Sequence, residues 1–100
     1  EELRQDAFID RQLRLPNRTA LVCELSERLA REASPEQMLA VVDIDQFSTT
    51  HDILGNDYVE SLLRLTARRL RDAFPPAVFI ARLAGDAFAV LGAHDLVTSR

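Results

Sequence analysis

The sequence is short of several things, and each shortage excludes a class of function. Cys23 is its only cysteine. No internal disulfide can form, and a reducing compartment, the cytoplasm, is expected. An excess of basic residues is missing too: the net charge is −4 and the pI is near 5.1. That argues against a dedicated nucleic-acid binder, whose electrostatic footprint is basic. No apolar run approaches membrane-spanning length and no signal-peptide pattern opens the chain, so this segment is not expected to insert into a membrane. No repeat, linker or low-complexity stretch appears. There is no Ser-His-Asp order, no Cys-x-x-Cys pair and no Gly-rich phosphate loop. The chain opens on "EELRQDAF" without Met, which suggests a fragment of a longer protein.

What is present suits one small domain with one core: 47% of the 100 residues are hydrophobic. Periodicity predicts a helix over Glu1–Gln12, with Leu3, Ala7 and Phe8 on one side. Pro16 and Asn17 interrupt it, and Asn17 is a good N-cap for the next helix. There Leu21, Val22, Leu25 and Leu29 form the expected buried stripe, with Cys23 a buried structural thiol on the same side. Glu24 and Arg28 make an i,i+4 pair on the wet side. The apolar run "MLAVV", Met38 to Val42, is too short for a helix and reads as a strand buried on both faces. Residues 48–56 read as a short helix or turn broken at Gly55. A long amphipathic helix follows from Asp57 to about Phe74. Val59, Leu62, Leu63, Thr66, Leu70 and Phe74 line its core face, and Glu60, Arg64, Arg68 and Arg71 stay wet. Pro75-Pro76 ends it. "VFIA" and "FAVL" then make a hairpin around Ala84-Gly85-Asp86-Ala87.

The order helix, strand, helix, strand, strand predicts helices packed on a sheet, an α/β or α+β sandwich. A right-handed crossover would leave the first strand central, and the hairpin would extend the sheet. Ligands gather beyond the carboxyl ends of strands in such folds. Asp43 and Asp45 stand at one such end and Asp86 in the hairpin turn. If the hairpin packs beside the first strand, Asp43 and Asp86 converge. Two carboxylates and a backbone carbonyl make a hard-oxygen site for Mg²⁺ carrying nucleotide phosphates. Alternation sends Asp43 and Asp45 to opposite faces, so one of them suffices. The bland reading stays open: an Asp at a strand end or in a Gly turn also simply caps, turns or faces water. His51 and His94 read as surface or helix-end residues. Arg68, Arg69 and Arg71 read as a solvated helix face.

Four stretches, "RLPNR" (14–18), "VVDIDQF" (41–47), "HDILGN" (51–56) and "ARLAGDAF" (81–88), stand in one order. Together they resemble the GGDEF domain, the diguanylate cyclase family, over roughly Asp10 to Leu91. The family pattern runs L-P-N-R, D-x-D-x-F-K, I-N-D-x-x-G-H-x-x-G-D, A-R-x-G-G-D-E-F. The resemblance implies a nucleotide-cyclase palm, helices on a central mixed or antiparallel sheet. It also implies a chemistry in which two GTP-loaded domains join their nucleotides into cyclic di-GMP. By that likeness Asp43, the Ile44 carbonyl and Asp86 match the metal ligands, and Mg²⁺ and GTP are the implied ligands. Phe47, His51, Glu60 and Gly85 fall on nucleotide-site positions.

The departures are several. Ser48 replaces a phosphate-holding Lys and cannot supply its charge. His51 stands where an Asn reads guanine, Asn56 where a His stands, and Val59 where a Gly stands. Glu60 replaces the guanine-reading Asp. Ala84 replaces the first Gly of the turn, with dihedrals that Ala dislikes expected there. Ala87 replaces the signature Glu. The R-x-x-D product-inhibition site is expected to be absent, because Pro75 to Val78 stand in its place. The resemblance therefore implies a degenerate copy without catalytic residues at Ser48, Ala84 and Ala87. Residues 1–12 would end a linker helix, and residues 13–100 would form the N-terminal part of the domain. Such a copy would serve as a regulatory, dimerising or GTP-sensing module of a bacterial cyclic di-GMP signalling protein, as a homodimer and with flanking sensor and EAL-type domains. The alternatives are an active cyclase and a purely structural interaction module. A domain stopping soon after Leu91 is expected to leave a strand edge and a helix face uncovered.

Overall fold

In the computed structural model residues 7–31 and 36–98 are described. Two short strands, β1 (Ile9–Asp10) and β2 (Leu15–Pro16), form an antiparallel ribbon. The Asp10 carboxylate accepts from the Leu13 N–H at 2.9 Å, and the Asp10 carbonyl from the Arg14 N–H at 2.9 Å. The helix expected over Glu1–Gln12 is therefore not there beyond Phe8. Its residues 1–6 lie outside the described part, and 9–14 are ribbon and turn. An Asp that bonds backbone donors three and four residues on offers the chain an alternative to helix.

Helix α1 (Arg18–Ala30) starts at the expected cap. The Asn17 side chain accepts from the Ala20 N–H at 3.0 Å and donates to the Ala7 carbonyl at 3.0 Å. Its own N–H donates to the Phe8 carbonyl. Asn17→Ala removes the cap and the tie together. It is expected to lower stability by about 1–2 kcal/mol, the upper part of the range for caps. A urea titration measures this, and a loss under a few tenths would contradict it.

Strand β3 (Gln37–Asp43) leads to α2 (Phe47–Ala73), the hairpin β4 (Phe79–Ala84) and β5 (Ala87–Ala93), and α3 (His94–Thr98). The sheet order is β3-β5-β4, antiparallel throughout. The expected short and long helices are two arms of α2, broken where Gly55 takes φ 84°, ψ 178°. A Cβ there would meet nothing within 4 Å, so its positive φ is what favours glycine. Among the described residues no helix is long and apolar enough to cross a membrane.

Two packing layers sandwich the sheet. Val59, Leu63 and Ala67 of α2 pack with Leu13, Leu15, Ile80, Phe88 and Val90 on one face. Leu21 of α1 packs with Ala81, Ala89 and Leu91 on the other. Strand β5 is thus buried on both faces and is the central strand among the described residues. The expectation had given that place to β3. There Leu39 is 46% and Val41 58% exposed, because they lie beside Leu91 and Ala89 in register on the α1 side, beyond the cover α1 gives to β4 and β5. The strands joined by α2, β3 and β4, have β5 between them.

Helix α1 corrects the expected stripe as well. Leu21 is buried and Leu25 half-buried, whereas Val22, Leu29 and Cys23 are exposed. The contact line runs 21, 25, 28, and its last place belongs to Arg28. That guanidinium bonds Glu24 at 2.8 Å, Gln37 Oε1 at 3.0 Å and the Ala77 carbonyl at 3.2 Å. On α2, Leu62, Thr66, Leu70 and Phe74 are half-buried flanks, and Ala67 is a core residue that the expected stripe omitted.

Candidate functional site

The β4–β5 hairpin turn and the end of β3 lie side by side. Asp43 is paired with Ala87 in register, and the Ile44 N–H donates to the Asp86 carbonyl at 3.1 Å. This places Asp43, Ile44 and Asp86 on adjoining backbone, as expected if the hairpin packs beside β3. Asp43 is exposed and Asp86 half-buried. Two carboxylates and the Ile44 carbonyl are the oxygen donors available there. Among the described residues no three His, Cys, Asp or Glu side chains gather into a group that could hold a metal ion. A cation held there would need the rest of its coordination from phosphate or water.

Next to this end lies a cleft of ≈ 400 Å³. Phe47 and His51 from the first arm of α2, Glu60 from the second and Gly85 from the turn line it together. Asn56 and His51 are hydrogen-bonded across the Gly55 break. Glu60 also pairs with Arg64 at 3.0 Å. Ser48 and Ala84 are exposed and do not line the cleft; Ala87, half-buried, faces it no more than they do. His94 begins α3, well away in sequence, and its N–H donates to the Glu36 carbonyl.

Ala84 takes no left-handed backbone. Among the described residues positive φ occurs only at Arg14, Gln46 and Gly55, so the strain expected at Ala84 is not present. The hairpin resolves it with a register shift between Arg82 and Ala84. Gly85 needs no special dihedral either, and a Cβ on it would meet only Phe47 Cε2, at 4.0 Å. Gly85→Ala is therefore expected to change stability by less than about 0.5 kcal/mol, while placing a methyl at the cleft wall. Thermal melts of the two proteins check this; a drop of several degrees would show that the turn does need the glycine.

Arg82, the Arg of the "ARLAGDAF" stretch, has a role that the sequence alone does not reveal. Its guanidinium donates to the Ala84 carbonyl at 3.3 Å, the Gly85 carbonyl at 2.9 Å, the Asp10 carboxylate at 3.2 Å and Gln12 Oε1 at 2.7 Å. It fixes the turn and ties it to the ribbon some 70 residues earlier. Gln12 and Arg82 both line the cleft. No sequence signal points to Gln12, which periodicity places at the end of a helix.

Comparison with known proteins bears on the whole of this region. The family model described as "Diguanylate cyclase, GGDEF domain" matches residues 7–96. The chain is 39% identical over 93 residues to the diguanylate cyclase DgcP of Pseudomonas aeruginosa, covering 91% of the chain and 14% of that protein. It is 36% identical over 91 residues to the cyclic di-GMP phosphodiesterase NbdA of the same species, covering 89% of the chain and 12% of that protein. The chain thus spans about an eighth of the length of these relatives. Among solved structures, the coiled coil and GGDEF domain of DgcB from Caulobacter crescentus, in complex with c-di-GMP, superposes with a TM-score of 0.86 at 32% identity, covering 98% of the chain and 54% of that structure. Motif order, sheet topology and these likenesses agree: the chain belongs to the GGDEF domain family.

Proposed function

We propose that this chain is a degenerate GGDEF domain that has lost diguanylate cyclase activity and serves a cyclic di-GMP signalling protein as a regulatory, dimerising or GTP-sensing module. The turn carries the reading. Gly85 and Asp86 are kept, while Ala84 and Ala87 replace two of the family's letters, and Ala87 sits opposite Asp43 in register. A methyl there offers no oxygen to a cation and no proton acceptor to a hydroxyl. In phosphoryl transfer the protein contributes positioning and charge stabilisation, so each lost contact weighs heavily on rate. Ser48 removes a further cation from the same end. NbdA, a relative whose name is that of a phosphodiesterase, supports a setting beside an EAL-type domain.

A second reading rests on the cleft. Phe47, His51, Glu60 and Gly85 share it, and Glu60 can accept from the edge of a purine. Asp43, Asp86 and the Ile44 carbonyl would hold Mg²⁺, which when bound neutralises phosphate charge. On this reading GTP binds without turnover as an effector of the neighbouring domain. Calorimetric titration of the intact protein with Mg-GTP tests it. Binding in the micromolar to millimolar range is expected, lost in Asp43→Ala and weakened in Glu60→Ala. No heat at about 1 mM ligand, where even a 1 mM Kd would half-saturate the protein, leaves only the structural module.

A further inference from the structure

All twelve basic side chains of this acidic chain are arginines, and four of them meet at one place. A cleft of ≈ 460 Å³ lies between the 11–14 turn and the second arm of α2. Its floor is apolar and buried, formed by Leu13 and Ala67. Arg14 stands on one wall. Arg64, Arg68 and Arg71 stand on the other, at helical spacings of four and three that put them on one face. Asp72 is the one acid on the rim.

The four cations are not equally occupied. Arg71 donates to the Leu13 carbonyl at 3.4 Å and the Arg14 carbonyl at 2.6 Å, fastening the turn to the helix. Arg64 pairs with Glu60 on the surface, a contact of little strength that an incoming anion can replace. The guanidinium groups of Arg14 and Arg68 have no ion-pair or hydrogen-bond partner among the described residues. Arg14 also takes φ 59°, a left-handed conformation in which Gly or Asn is the usual occupant. The chain places a long cation where backbone energetics favour a small residue.

We propose that this cleft binds a small anion carrying two or more phosphoryl groups. The planar guanidinium fork matches phosphate oxygens in pairs. Cations on two facing walls suit a ligand with more than one charged group. Gln12 lines both this cleft and the one beside the hairpin turn, but neither Asp43 nor Asp86 lines this one and its cations need no bridging metal, so the inference does not rest on the GTP reading.

Titration of the intact protein with inorganic pyrophosphate, at low salt and without divalent cations, tests it. Saturable binding is expected that weakens as salt rises. Arg14→Gln/Arg68→Gln weakens it by about tenfold or more, the loss expected for charge-assisted hydrogen bonds. Arg14→Lys/Arg68→Lys keeps part of it, and Asp43→Ala/Asp86→Ala leaves it unchanged. Equal binding by the double Gln variant overturns the proposal, as does no saturation by about 10 mM, beyond the weakest useful affinity. Binding of a poly-glutamate peptide but not of pyrophosphate also overturns it, and assigns the cleft to an acidic protein partner.

Discussion

Phe88→Ala is expected to lower the unfolding free energy by about 3–5 kcal/mol, the range for truncating a buried aromatic. Phe88 is fully buried on the central strand. It packs against the α2 layer and stands between Val42 and Arg82 in register. No neighbour can close over the void, because both flanking strands are held by β5 itself. A small domain has only about 5–15 kcal/mol in total, so the variant should lie close to its unfolding midpoint at room temperature. Urea denaturation followed by circular dichroism measures the change. A loss below about 1 kcal/mol would mean that the core relaxes around the gap. Val41→Ala, on the exposed face of β3, makes the internal control and should cost less than about 0.5 kcal/mol.

The larger expected effect is on turnover. With Mg²⁺ and GTP the intact protein should form cyclic di-GMP at least about 100-fold more slowly than a variant carrying Ser48→Lys, Ala84→Gly and Ala87→Glu together. One preorganised charge or hydrogen-bond contact is worth about 10²–10³ in rate, so three restored groups leave room for a large gain even if the new side chains settle imperfectly. The carboxylate at position 87 enters opposite Asp43 in register, and a cation would be needed to reconcile the two charges. Product formation measured by chromatography decides the matter. Appreciable synthesis by the unaltered protein, abolished in Asp86→Ala, would sink the reading of an inactive copy. Equal and negligible rates in both would place the defect at His51, Val59 or elsewhere in the cleft.

Much of the fold was legible because the signals were local. Asn17 as a cap, Gly55 as a break and Pro75-Pro76 as a stop each follow from one residue's backbone chemistry. The hairpin and the approach of Asp43 to Asp86 followed from two apolar runs flanking a turn. Strand order did not follow. "MLAVV" and "FAVL" are equally apolar, and nothing local says that the second would be covered on both faces and the first left half open. Helix α1 misled for a similar reason. Four apolar positions fit the stripe, but Arg28 could bury its stem and find four partners, so the helix rolled to put 21, 25 and 28 inward. The lead-in misled because Asp10 bonds the backbone ahead of it, which composition alone hides. At the site the family letters were readable residue by residue. Arg82 and Gln12 were not, because their roles arise from a contact between segments far apart in the chain.

The break at Gly55 has a consequence for how this sequence could drift. The first arm of α2 carries Phe47, Ser48 and His51, and Ile53 and Leu54 on it are 73% and 52% exposed. The buried residues of the helix, Val59, Leu63 and Ala67, all lie on the second arm. The half that carries Phe47, Ser48 and His51 thus holds none of the helix's fully buried residues, whereas on the other half Val59 serves cleft and core alike and Glu60 lines the cleft. Replacement of a Lys or an Asn on the first half changes no core contact on the second, so selection for folding cannot see it. A lineage released from the need for turnover can erase the site while the scaffold stays under selection, and retained fold with altered signature letters is the outcome that such a division permits.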